Sequence, residues 1–166
     1  MKTMKFMLVI LAMVLALGLT GVVMAADNAG STVGYEVQAI NQITVSGNPA
    51  ALTISTATAG SAPTSPTSDT STTYAITTNQ STRKITGALN TTMPSGVTLT
   101  VTLAAPSGGT STGAVTMTAT AQDMVTGIST LNETGKTITY GLSATSAAGV
   151  VTSANKTLTL TIVAGV

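Results

Sequence analysis

The chain contains no cysteine, no tryptophan and no histidine, and its 166 residues include one phenylalanine and three tyrosines. Each absence removes a class of function. Without cysteine there is no disulfide framework, no thiolate nucleophile and no thiol for lipid attachment, and without Cys or His a zinc site has no strong ligands. General acid–base chemistry usually employs histidine or a close pair of carboxylates in different environments. The five acids, Asp27, Glu36, Asp69, Asp123 and Glu133, are scattered. Asp123 and Glu133 flank one predicted turn, yet solvated loop charges are the simpler expectation. Calcium requires several oxygen ligands in one loop, and Asp69 stands alone among Ser and Thr. The many hydroxyls lack a base to activate them. The expectation is a protein that is not an enzyme, with no catalytic residue, no cofactor and no metal.

Charge is scarce as well, at 7% of residues against roughly 25% in an average soluble domain. Beyond residue 25 the bases are Arg83, Lys84, Lys136 and Lys156, so the formal charge of +1 arises from Lys2 and Lys5. Nothing in that balance suggests a nucleic-acid partner. Aromatic platforms for sugars are missing too: Tyr35, Tyr74 and Tyr140 each share the apolar parity of a strand, which predicts core packing with the hydroxyl at the rim.

Lys2 and Lys5 precede an apolar run from Phe6 to Leu19, and Val23-Met24-Ala25 supplies the small or apolar residues that a signal peptidase reads. Residues 1–25 are expected to be a removed secretory signal, the run being short of the roughly 20 residues of a membrane span. That implies a protein that is secreted, extracellular or at the cell surface, with no membrane span after signal removal. Residues 26–166 are expected to form one domain, long enough to bury a core.

Threonine is abundant, at 34 of the 141 residues beyond position 25. It falls mostly in the polar slot of a period-two alternation, the pattern of half-buried strands. Val97-Thr98-Leu99-Thr100-Val101-Thr102-Leu103 is the clearest case. Similar parity groups Val115 with Met117 and Ala119; Ile138 with Tyr140, Leu142 and Ala144; and Leu158 with Leu160 and Ile162. Weaker strands are expected around Leu52 and Ile54, Tyr74 and Ile76, and Ile85 and Leu89. Gly47-Asn48-Pro49, Met93-Pro94-Ser95-Gly96, Pro106-Ser107-Gly108-Gly109 and Ala148-Gly149 mark turns. Thr120 and Asp123 have capping-box spacing, and with Met124, Val125 and Ile128 they suggest one short helical turn. Residues 56–73, rich in Thr, Ser, Pro and Ala, read as a long exposed loop. The predicted fold is all-β: an immunoglobulin-like β-sandwich of about seven to eight antiparallel strands with at most one short helical turn.

The most suggestive segment comes first. Val33, Tyr35, Val37, Ala39, Ile43 and Val45 share one parity, interrupted only by Asn41, opposite Glu36, Gln38, Gln42, Thr44 and Ser46, and predict an N-terminal strand over residues 33–46, long enough either to bend into two or to project beyond the body. Soluble sheets guard their edges with Lys, Pro or inward charge, and this chain has little of any. Such a strand either completes its own sheet or adds to a neighbour's. These six residues are the candidate donor-strand contacts of a homo-oligomer or polymer, within a cell surface or matrix. The alternative is a monomeric secreted binding or adhesion module that presents loops such as 106–113. Asn79, Asn90, Asn132 and Asn155 each open an N-x-Ser/Thr triplet, a pattern that arises by chance in so Thr-rich a chain.

The stretches ITVSGNPAALTI (Ile43 to Ile54), TTNQSTRKITGAL (Thr77 to Leu89) and TMTATAQDMV (Thr116 to Val125), in this order in a Cys-free chain, resemble the alpha-class, colonisation-factor type fimbrial subunits. Biofilm-fibre proteins that polymerise in the same general way are an equal comparison. The resemblance implies an immunoglobulin-like pilin that polymerises through an N-terminal donor strand. The chain departs from that pattern by a segment ahead of Ile43 and by the 56–73 loop.

Overall fold

The alternation of apolar and hydroxyl side chains folds into nine strands: β1 (Asn41–Val45), β2 (Asp69–Thr78), β3 (Arg83–Leu89), β4 (Val97–Leu103), β5 (Thr110–Ser111), β6 (Val115–Thr116), β7 (Gln122–Ile128), β8 (Leu131–Ala144) and β9 (Leu158–Ala164). This computed structural model describes residues 28–63 and 68–165, so the signal expected at 1–25 lies outside the described residues. Val37–Val166 is one compact unit; in the unit before it, residues 28–36 carry no regular structure.

Two antiparallel sheets build the β-sandwich, with strand orders β1-β2-β8-β4-β6 and β5-β7-β3-β9. The β4–β8 ladder runs unbroken from Val97 opposite Ala144 to Leu103 opposite Ile138. Its register places Leu99, Val101 and Leu103 beside Leu142, Tyr140 and Ile138 on one face, and Thr98, Thr100 and Thr102 beside Ser143, Gly141 and Thr139 on the other. The first face meets Ile85, Leu89, Met124, Val125 and Ile128 of the second sheet in a core that also buries Tyr74, Ile76 and Met117. The Tyr74 hydroxyl donates to the Ala104 carbonyl at 2.6 Å. Burial, and then the negative charge of Glu133, push its phenol up to about 12. Thr72 is also turned inward and its hydroxyl finds no partner among the described residues.

Turns follow the Gly and Pro signals. At Gly96 (φ +77°) a Cβ would lie 2.8 Å from the Ala148 backbone nitrogen, so only glycine fits between β4 and the 145–148 turn.

Several expectations need correction. The Thr120 to Ile128 helical turn is instead strand β7, and the helical turn among the described residues is a 3₁₀ turn at Ser146–Ala148. The cause is a bulge: the β3–β7 register shifts on either side of Ile85, which lets the consecutive Met124 and Val125 both face the core. The 56–73 loop ends earlier, because Asp69 already opens β2. Leu52 and Ile54 alternate as half-buried residues with exposed neighbours, but join no strand. The N-terminal strand is not 33–46 but 41–45. Among the described residues no helix is long and apolar enough to cross a membrane.

Candidate subunit interface

The two rims of the sandwich differ. At one, the chain passes from β5 to β6 and covers the middle of β7 and of β4: Thr112 N donates to Met124 O at 3.0 Å and Met117 N to Leu99 O at 2.9 Å. At the other rim lie the edge strands β1 and β9. Gly165 N donates to Thr82 O at 2.9 Å and Asn90 N to Thr157 O at 3.0 Å. Odd-numbered residues of β9 therefore exchange hydrogen bonds with β3, and the peptide groups of Leu158, Leu160, Ile162 and Ala164 face away from it. No described residue pairs with those outward groups. The side chains of Leu158, Leu160 and Ile162 pack on the core yet remain only half-buried, as do Ile43 of β1 and Leu52. A seven-residue strand without a charged residue thus offers both an unpaired backbone and uncovered apolar surface. Native sheets normally protect such an edge with charge, proline or a bulge.

The six predicted donor residues separate into two groups. Ile43 and Val45 lie in β1 and are paired with β2, opposite Ile76 and Tyr74. Val33, Tyr35, Val37 and Ala39 lie in no strand and are exposed, the first three at 77%, 94% and 79%. Tyr35 is therefore not the core residue its parity suggested, whereas Tyr74 and Tyr140 are buried. Asn28 to Val37 make no hydrogen bond to another described residue.

The root of this ribbon is held by a residue that the sequence reading passed over. Asn79 Nδ2 donates to Gln38 O at 2.7 Å, and Asn79 Oδ1 accepts from Ile40 N at 2.8 Å. The sequence signal for it is an Asn directly after a strand, at a position where side-chain amides often bond to backbone, which in this chain also opens a glycosylation triplet.

The carboxylates serve local structure. Asp123 pairs with Lys84 at 3.0 Å and Glu133 with Lys136 at 2.6 Å, so the two acids are not brought together. Glu133 also accepts from Ser107 N at 2.9 Å. The Lys136 contact first, and then Ser107, hold its carboxyl down to about 2. Asp69 accepts from the Ser71 hydroxyl and amide and from the Ala50 amide, and its pKa is lowered mainly by that hydroxyl. A shallow depression of about 300 Å³ among Gln42, Thr44, Thr77 and Asn132 contains Glu133 as its one titratable group. No group of three or more acidic residues among the described residues is placed to hold a metal ion.

No protein-family model, curated protein or solved structure matches this chain. The functional reading rests on the rim and the ribbon.

Proposed function

We propose that this chain is a secreted structural subunit that joins copies of itself into an extracellular filament by strand addition. The ribbon Val33 to Ala39 of one copy pairs along β9 of the next. The supporting observation is the coexistence, in one chain, of an exposed ribbon with alternating apolar side chains and an open edge of matching length. Both are seven residues long, or about 23 Å at ~3.3 Å per residue.

Pairing gives the outward peptide groups of Leu158, Leu160, Ile162 and Ala164 their partners. It also lays Val33, Tyr35, Val37 and Ala39 over the half-buried Leu158, Leu160 and Ile162, while Gly34, Glu36 and Gln38 face solvent. Covering the three larger side chains contributes about 1.5–3 kcal/mol each before ordering costs. The ribbon's single charge, Glu36, falls on the solvent parity, where it costs nothing to keep hydrated. A secretory route fits the basic-then-apolar pattern of residues 1–25.

The test is the association state of the purified full chain by light scattering over a concentration series, with electron microscopy of the concentrated sample. Expected are linear multimers that grow with concentration and are abolished by Val37→Asp. A chain that stays monomeric throughout overturns the proposal, as do multimers indifferent to Val37→Asp.

A further inference from the structure

We infer that Asn79 is a positioning residue of this assembly, a latch that keeps the ribbon from folding back onto its own β9 and so leaves it available to another copy. The inference rests on the strand-addition reading.

Three hydrogen bonds meet at Asn79. Its side chain donates to Gln38 O at 2.7 Å and accepts from Ile40 N at 2.8 Å, and its own amide donates to Ile40 O at 3.3 Å. In an extended chain the carbonyl of one residue and the amide two residues on point to the same side. A carboxamide offers one acceptor and a donor group, as a peptide unit does. The Asn79 side chain thus continues the β2 ladder after the backbone of β2 has turned away, and holds Gln38 to Ile40 extended ahead of β1. Its surroundings are fixed in turn: Thr78 Oγ1 donates to Asn41 Oδ1 at 2.8 Å, and Asn41 Nδ2 donates to Gln80 Oε1 at 2.9 Å.

The topology gives this clamp its consequence. Asn41 opens β1 opposite Thr78, at the connection that crosses from β2 to β3 in the other sheet. Ala164 closes β9 opposite Arg83, at the far side of the same connection, where Gly165 N bonds Thr82 O. β1 therefore begins at the end of the sandwich where β9 finishes, and the two run in opposite directions. For the ribbon to cover its own β9 it must reverse between Gln38 and Asn41. That is the stretch Asn79 holds straight. With the latch closed that reversal is blocked, and β9 is left for a second copy. With the latch open, a self-capped monomer competes with the filament.

Asn79→Ala and Asn79→Asp in the full chain separate these states. Asp keeps the acceptor for Ile40 N, loses the donor to Gln38 O, and serves as the working variant where Ala fails to fold. Two quantities are read: the concentration at which half the chains are in multimers, and hydrogen exchange at the Leu158, Leu160 and Ile162 amides in dilute monomer. Expected for Asn79→Ala is at least a tenfold rise in that concentration together with at least tenfold slower exchange along β9 than in the parent monomer, with Asn79→Asp in between. Assembly equal to the parent overturns the latch. So does lost assembly with β9 exchanging as fast as in the parent, because the ribbon has then not folded back. Parent chains that never associate sink the assembly reading itself, which sets that failure apart from a failure of the latch.

Discussion

Tyr35 offers the cleanest separation of folding from assembly. In the free subunit it is 94% exposed, and Val37 is 79% exposed, so Tyr35→Ser and Val37→Ser are expected to change the unfolding free energy of dilute monomer, read from urea titration, by no more than about 0.5 kcal/mol. In a paired ribbon each side chain contributes about 1.5–3 kcal/mol through burial. At about 1.4 kcal/mol per factor of ten, each substitution weakens association by one to two powers of ten. The pair together weakens it by two to four, if the sites add. Two comparisons fix the meaning. Glu36→Gln changes the opposite parity and leaves association nearly unchanged. Ile76→Ala empties a site that is 1% exposed and costs about 2–5 kcal/mol of fold stability. The assay is urea unfolding below the association threshold, paired with sedimentation velocity over a concentration series. If Glu36→Gln weakens association as much as Tyr35→Ser, the ribbon does not enter as a strand. If Tyr35→Ser lowers the urea midpoint as Ile76→Ala does, its ring already belongs to the monomer's fold.

Thr72→Val removes a buried hydroxyl with no partner among the described residues and is expected to raise stability by about 1 kcal/mol, read as a higher urea midpoint at unchanged slope. Gly96→Ala forces a Cβ against the Ala148 backbone at positive φ and is expected to cost about 2 kcal/mol or more, measured in the same way. The Glu133 carboxyl is held at about 2 in the fold, below its ordinary 4.5, so the folded state binds that proton less readily than the unfolded chain. Its contribution to stability is complete above about pH 4.5 and is lost as pH falls toward 2. Urea midpoints at pH 7, 4 and 2 are expected to fall less steeply in Glu133→Gln than in the parent.

Period-two patterning made the sandwich legible because a strand with one wet face must alternate. The β4 sequence places Leu99, Val101 and Leu103 on the core side, where the structure has them. The same logic failed where geometry broke the period. The bulge in the β3–β7 pairing buries Met124 and Val125 in succession, and with Ile128 that spacing imitates one face of a helix. It failed again at the N-terminus, for another reason. The apolar residues of 33–45 share one parity interrupted at Asn41, but hydrophobic parity specifies which face of a strand is apolar and says nothing about whether a partner strand is present. β2 supplies one for Asn41 to Val45; no described residue supplies one for Val33 to Val37. The edge strands were illegible because they follow from strand order, which no local pattern encodes.

The asymmetry of the two rims limits how such a molecule can multiply. One side is partly covered by the short β5–β6 crossing, and the other holds the open edges of β1 and β9, while the described residues of each chain carry one unpaired ribbon. On the assembly reading the building block has a valence of two, one plug and one socket of different shape. Growth by this contact alone then yields polar, unbranched threads, and sheets or bundles require some further contact between the threonine-covered flanks.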